Sequence, residues 1–223
     1  PTVYIAANDG MLHAIETDVN NDPYYQTGGI PTGSTADDTF SGGNNNGNGV
    51  ERWSYIPGIV LPDLYKLASS PYTHRYLVDG SPTVGDICLS APCAGLNDWR
   101  TVLVGGLNSG GRGYYALDVT NPLKPRALWE FKVRKPSVTA CAATPADAVG
   151  AIDDCDLGLT YGNPVITKLK ATGQWVVIVT SGLNNTGYEP GTTLRQGDGM
   201  GYLYILDTVS GRILHKIPTN VGD

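Results

Sequence analysis

One pattern recurs three times along the chain and constrains its fold more than any other feature. Residues 2–17 read TVYIAANDGMLHAIET, and residues 101–119 read TVLVGGLNSGGRGYYALDV. A third copy begins WVVIVTSGLNN at Trp175 and, after a polar loop, resumes as GDGMGYLYILDT from Gly197. Each copy is a β-rich run, a glycine turn and a second β-rich run closed by an acidic residue: Glu16, Asp118 or Asp207. A short strand follows each time, ERWSYIP from Glu51, RALWEFKV from Arg126 and RILHKIP from Arg212. Two copies are preceded by a related element, DGSPTVGDI from Asp79 and YGNPVITKL from Tyr161. Four short strands per unit, repeated every few tens of residues, predict an all-β chain of four-stranded antiparallel blades, that is, a β-propeller.

The units fall at about residues 1–57, 77–134 and 161–218, with strands expected near 3–6, 102–105, 114–118, 176–180 and 202–207. The first unit opens at what would be the second strand of a blade. A closed ring needs at least ~4 blades, so three blades predict an open arc of a larger ring. The chain begins at Pro1, with no signal-peptide pattern, which reads as a piece of a longer protein. Residues 18–49 interrupt the first unit with a polar insert ending in SGGNNNGNG, too poor in apolar side chains to offset its ordering entropy. This insert reads as an irregular surface excursion. In LPDLYKLA, residues 61–68, Pro62 and Asp63 precede Leu64 and Leu67, a start signal for one short helix between blades. Residues 139–155 and 184–196 form two further loops.

Charged residues make up only 16% of the chain and there are 29 glycines, a composition suited to short strands and tight turns. The net charge is −6 and no Lys/Arg cluster occurs, which argues against a nucleic-acid or anionic-membrane footprint. No apolar run approaches the ~20 residues needed to span a bilayer. The four cysteines form two local pairs, Cys88 with Cys93 and Cys141 with Cys155. Two disulfides stapling loops is the reading that local pairing favours, and it implies an oxidising compartment. A four-cysteine zinc site and free thiols are the alternatives; neither pair is a CxxC, the spacing zinc sites usually draw on.

Candidate chemistry is sparse. Asp18, Asn20 and Asp22 place oxygen ligands at alternate positions, as a Ca²⁺ loop does. Its sixth position would be Pro23 in place of glycine, and its twelfth is Gly29 in place of glutamate, so a solvated polar loop is the competing reading. Asp153, Asp154 and Asp156 flank Cys155 and read as surface charge on a closed loop. Asp118 and Asp207 read as turn residues, and Asp9 and Asp198 as the Asp of Asp-Gly hairpin turns. His215 takes the place of Trp53 and Trp129 in the repeat, which argues for a packing or edge role and not for a metal ligand. No Ser-His-Asp elbow, HExxH or P-loop occurs, and GGLNSGGRG at 105–113 leads into a strand and not a helix. Trp53, Trp129 and Trp175, with thirteen tyrosines, supply the bulk expected to lock neighbouring sheets together. Tyr24, Tyr25 and Tyr188 lie instead in polar loops, where a rigid amphipathic ring suits either adhesive contact or loop anchoring.

The phrases VYIAANDGMLHAIE, HRYLVDGSPTVGD, WRTVLVGGLNSGGRGYYALDVTNP, DLGLTYGNPVI and GYLYILDTVSGRI occur in this order from Val3 to Ile213. Together they resemble the C-terminal β-propeller domain of the type IV pilus tip-adhesin family, the PilY/PilC proteins. The resemblance covers most of the chain outside the 18–49 insert. It implies a modified seven-bladed propeller, exported through the periplasm of a bacterium to its outer membrane and surface and carried at the pilus tip on minor pilins. There it would support pilus assembly, counteract retraction and attach to host cells or abiotic surfaces. The family's calcium loop has no full match here, so no ligand carries over. A quinoprotein dehydrogenase shares the ALD and Trp features but needs a clamped quinone, a calcium, a catalytic carboxylate and often an adjacent-cysteine disulfide; this chain has no Cys-Cys pair. A propeller scaffold for outer-membrane protein assembly is a third reading, and it has no need of the Asn/Gly insert or the local cysteine pairs.

Overall fold

The computed structural model describes residues 1–17, 49–89, 93, 95–134, 141, 144–186 and 197–222. Among the described residues twelve strands form three sheets. The first sheet holds β1 (Thr2–Ala6), β2 (Leu12–Glu16) and β3 (Glu51–Tyr55). In the second lie β4 (Thr83–Cys88), β5 (Trp99–Gly106), β6 (Gly113–Asp118) and β7 (Arg126–Val133), with β8 (Asp153–Asp154) added in parallel at the edge. The third runs β9 (Val165–Lys168), β10 (Trp175–Thr180), β11 (Met200–Asp207) and β12 (Ile213–Gly222). All other pairings are antiparallel between neighbours in sequence, the up-and-down order of a propeller blade. The fifth strand of the second sheet was not legible in the repeat, because a two-residue strand has no period to read.

The repeat extends to an irregularity. Ala14 faces Trp53, but the next residue, Ile15, faces Glu51. Ala116 faces Trp129 and Leu117 faces Ala127; Ile205 faces His215 and Leu206 faces Ile213. One extra residue is thus bulged out at the same place in every blade: Arg52, Leu128 and Leu214. A bulge bends the strand and adds twist, and its recurrence marks the three units as copies of one structure.

Blades pack face to face through two apolar clusters. One joins Leu12 of the first sheet to Leu103, Tyr115 and Leu117 of the second. The other joins Val104, Tyr114, Ala116 and Phe131 of the second sheet to Val177, Tyr204 and Leu206 of the third. Strand β6 therefore sends alternate side chains into different clusters and is buried on both faces, which is why YYAL reads as an unbroken apolar run. Each such fully buried large side chain contributes roughly 1.5–3 kcal/mol. The outer face of β1 is open by contrast, with Val3 and Ile5 44% and 49% exposed.

Tryptophans add directed bonds across these interfaces. Trp53 Nε1 donates to the Pro122 carbonyl at 2.8 Å, and Trp129 Nε1 to the Thr208 carbonyl at 2.8 Å. In each case a fourth strand reaches the outer turn of the next blade. Trp175 plays a different part, edge-on to Trp99 with ring centroids 6.3 Å apart. Residues Leu61–Ala68 form a 3-10 helix between the first two sheets, as the Pro-Asp start signal anticipated in place if not in type.

Candidate functional site

Antiparallel blades have two ends, and the structure distributes the loops between them. At one end lie the turns between third and fourth strands. Asp118 Oδ1 accepts from the Thr120 amide, and Asp207 Oδ1 accepts from the Ser210 amide at 2.7 Å and from the Ser210 hydroxyl. Those bonds to Asp207 hold its carboxyl below the ordinary range, outweighing a burial that would raise it. The third acidic residue of the repeat behaves otherwise. Glu16 is fully buried and takes Arg52 Nε at 2.5 Å, while Arg52 Nη1 donates to Thr2 Oγ1. Its turn has been replaced by the insert. The amide of Glu16 donates to the Val50 carbonyl and that of Gly49 to the Glu16 carbonyl, so the insert leaves and returns at one rung of the sheet. A 31-residue excursion closed this way leaves the blade's pairing intact, since loop length adds little entropy once the ends are fixed. The Cys88–Cys93 disulfide, with Cα atoms 6.0 Å apart, closes the loop after β4 at this same end.

The other end carries the turns between second and third strands and the connections between blades. Asp9 Oδ1 caps Met11 N and Asp198 Oδ1 caps Met200 N, each beside a glycine in the left-handed region, Gly10 at φ 96° and Gly199 at φ 85°. His13 stands over the first of these turns, 2.9 Å from Asp9 and 3.0 Å from Glu51. Burial alone would lower its pKa, but the hydrogen bonds to Glu51 and Asp9 prevail and raise it. The linker after the helix packs onto the turns: Asn8 Oδ1 accepts from Leu77 N, and Asn108 Nδ2 donates to the Asp79 carbonyl. A Cβ at Gly110 would lie 1.8 Å from the Leu77 carbonyl oxygen, so this contact requires glycine. Residues Ser69 to Tyr76 are all exposed, with Tyr65, Tyr72 and Tyr76 each more than half open to solvent. A shallow hollow of about 500 Å³ opens between Tyr161, Thr180, Leu183, Tyr202 and Thr219.

The most organised polar site of the described residues also lies here, and the sequence reading of it was wrong. Asp154 and Asp156 do not sit on the surface; their residues are 3% and 8% exposed. The Cys141–Cys155 disulfide, Cα atoms 5.7 Å apart, folds the loop back so that β8 docks on β7. Asp153, still partly exposed, pairs there with Arg134 at 2.7 Å. Between the two buried aspartates lies Lys216 of β12, whose Nζ is 2.8 Å from Asp154 Oδ1 and 2.5 Å from Asp156 Oδ2. Tyr204 OH and the Asp156 amide also donate to Asp154 Oδ1, at 3.0 and 2.9 Å. The ring of Tyr202 stacks on the ammonium at 4.2 Å, and its hydroxyl donates to Asp198. Burial raises the Asp156 carboxyl, against Lys216, which lowers it. Burial with the neighbouring carboxylates pushes the Tyr204 phenol well up. The signal missed was the bulge at Leu214. It inverts the alternation of β12, turning Lys216 inward beneath an exposed His215.

Among the described residues no group of three or more His, Cys, Asp and Glu side chains could hold a metal. The proposed calcium ligands Asp18, Asn20 and Asp22, and the loop tyrosines Tyr24, Tyr25 and Tyr188, lie outside the described residues. The insert and residues 187–196 leave the blades from opposite ends, since one joins third to fourth strands and the other second to third. No helix of the described residues is long and apolar enough to cross a membrane.

Bulged antiparallel blades, locked by tryptophans and stapled by two loop disulfides, define a β-propeller domain. The chain belongs to the PilY1 β-propeller domain family, whose model matches residues 1–222. It is 31% identical, over 99% of its length, to a type IV pilus biogenesis factor PilY1 homologue of Xylella fastidiosa. It is also 29% identical over 97% of its length to type IV pilus biogenesis factor PilY1 of Pseudomonas aeruginosa. The crystal structure of the Pseudomonas aeruginosa PilY1 C-terminal domain superposes with a TM-score of 0.55 at 28% identity, covering 99% of this chain and 32% of that one. The chain spans only 11% and 13% of the length of those two curated relatives.

Proposed function

We propose that this chain is part of the propeller of a non-enzymatic pilus-tip protein. That protein supports pilus assembly, counteracts retraction and attaches the pilus to host cells or abiotic surfaces. The observation that carries this reading is the family match along residues 1–222, whose relatives are type IV pilus biogenesis factors. The propeller works as a rigid holder. Its blades fix loops at both ends, and rigid scaffolds with variable loops are how such folds commonly meet partners. Minor pilins are the proposed partners on the pilus side. The insert is the proposed adhesive element, with Tyr24 and Tyr25 as contacts; Tyr188 serves a second loop at the opposite end. Asp18, Asn20 and Asp22 would give the insert a calcium-dependent conformation.

Support for a dispensable insert comes from its closure at Glu16 and Val50, which holds β2 and β3 together without it. Deleting residues 20–47 in the parent protein should leave secretion and surface pili intact while attachment weakens. Equal loss of pili and attachment would make the insert structural, and unchanged attachment would remove it from adhesion. Quinone-dependent alcohol oxidation by the purified protein would instead favour the dehydrogenase reading.

A further inference from the structure

The Lys216 site has more carboxylate than a salt bridge needs. One ammonium faces two aspartates, and the side chains of Lys216, Asp154 and Asp156 are 2%, 3% and 12% exposed. Two tyrosine rings close the cation side, and a disulfide holds both aspartates in place. Leaving three charges buried in this way is costly even when they are hydrogen-bonded. In such surroundings an ammonium and a carboxylate can exchange a proton and become a neutral amine beside a carboxylic acid. Those are the two partners of an amide bond.

We propose that Lys216 and Asp154 condense into an intramolecular isopeptide bond, with Asp156 as the proton relay. Lys216 first passes one proton to Asp154, which carries it on Oδ2. The amine lone pair then attacks Cγ of Asp154, and the carbonyl electron pair moves onto Oδ1. That oxygen already receives the Tyr204 hydroxyl and the Asp156 amide, two donors placed to hold the developing negative charge. Asp156, 2.5 Å from Nζ, takes a proton from the nitrogen and delivers it to the hydroxyl forming at Oδ2. Water leaves as the carbonyl re-forms. An ammonium and a carboxylate become a neutral amide and one water, and Asp156 ends as it began. No activating group is needed, because fixed side-by-side placement alone can be worth an effective concentration of ~10⁵–10⁸ M.

The bond would run from β12 of the third blade to β8, itself paired to the second blade and followed at once by Cys155, which is bridged to Cys141. It would weld two adjacent blades covalently, and unlike the disulfide it would survive reduction.

The test is peptide mapping by mass spectrometry of the full-length protein purified from its native host, reduced and denatured. The expected result is a branched peptide carrying Lys216 and Asp154, lighter than the sum of its parts by one water. Asp154→Asn should give the same branch with loss of ammonia. Asp156→Asn should leave Lys216 free. Lys216→Arg should show no branch. Unbranched peptides from the wild-type protein, with Lys216 open to amine labelling, would overturn the proposal, as would a branch at Asp156 or one persisting in Lys216→Arg.

Discussion

Replacing Trp129 by phenylalanine tests how the blades are held together. Its indole is 8% exposed, donates at 2.8 Å to the carbonyl of Thr208, and lies against Gly211 so closely that a Cβ there would fall 2.6 Å from Trp129 Cγ. Thr208 is fully buried, so its carbonyl loses this donor and gains no water in return. An orphaned buried acceptor costs ~1–3 kcal/mol, and the smaller ring gives up a little apolar contact as well. About 2 kcal/mol is the expected sum, roughly a thirty-fold change in an opening equilibrium. Native-state hydrogen exchange on the intact protein reads this locally. Amides of β7, β11 and β12 should exchange about thirty-fold faster, while β1 and β2 stay as they were. Faster exchange confined to β7 would mean that Trp129 packs only within its own blade. An unchanged rate throughout would refute the inter-blade role.

Two further outcomes follow from the same geometry. His13 has a raised pKa in the fold, so its share of stability is complete below the unfolded value of about 6.5 and is lost as pH climbs through the folded value. The opening equilibrium of β2 and β3, taken from exchange corrected for the intrinsic pH dependence of the amides, should therefore rise as pH climbs above about 6.5, and His13→Gln should abolish that rise; a rise that survives would place the titrating group elsewhere. Replacing Cys141 and Cys155 by serine removes a loop closure of 14 residues, worth ~2–3 kcal/mol in the chain-entropy account. Residues 153–157 should lose protection and β10 should keep its own, whereas uniform loss across the third sheet would show the disulfide to be part of the blade core.

Most of the fold was legible because the repeat is carried by local signals. Glycine turns, period-two alternation and strand-ending aspartates recur at matched positions, and none depends on distant contacts. Strand β6 was expected near residues 114–118 and lies there, its unbroken apolar run matching burial on both faces. What escaped notice depended on the third dimension. Strand β8 exists only because the Cys141–Cys155 loop folds back onto β7. Asp154 and Asp156 look like surface acids until Lys216 arrives from 60 residues away, turned inward by a bulge that alternation alone does not reveal. Glu16 looked like its counterparts Asp118 and Asp207, yet the insert removed its turn and Arg52 claimed it. Local chemistry was readable; buried charge was set by tertiary neighbours.

The pilus-tip reading is tested most directly by locating the domain on intact pili. An epitope placed inside the insert, between Asn20 and Gly47, would sit between sheet residues already paired at Glu16 and Val50. Gold-labelled antibody on sheared pili should mark one end of each filament. Label along the shafts, or only in the cell envelope with bare pili, would contradict a tip-borne propeller.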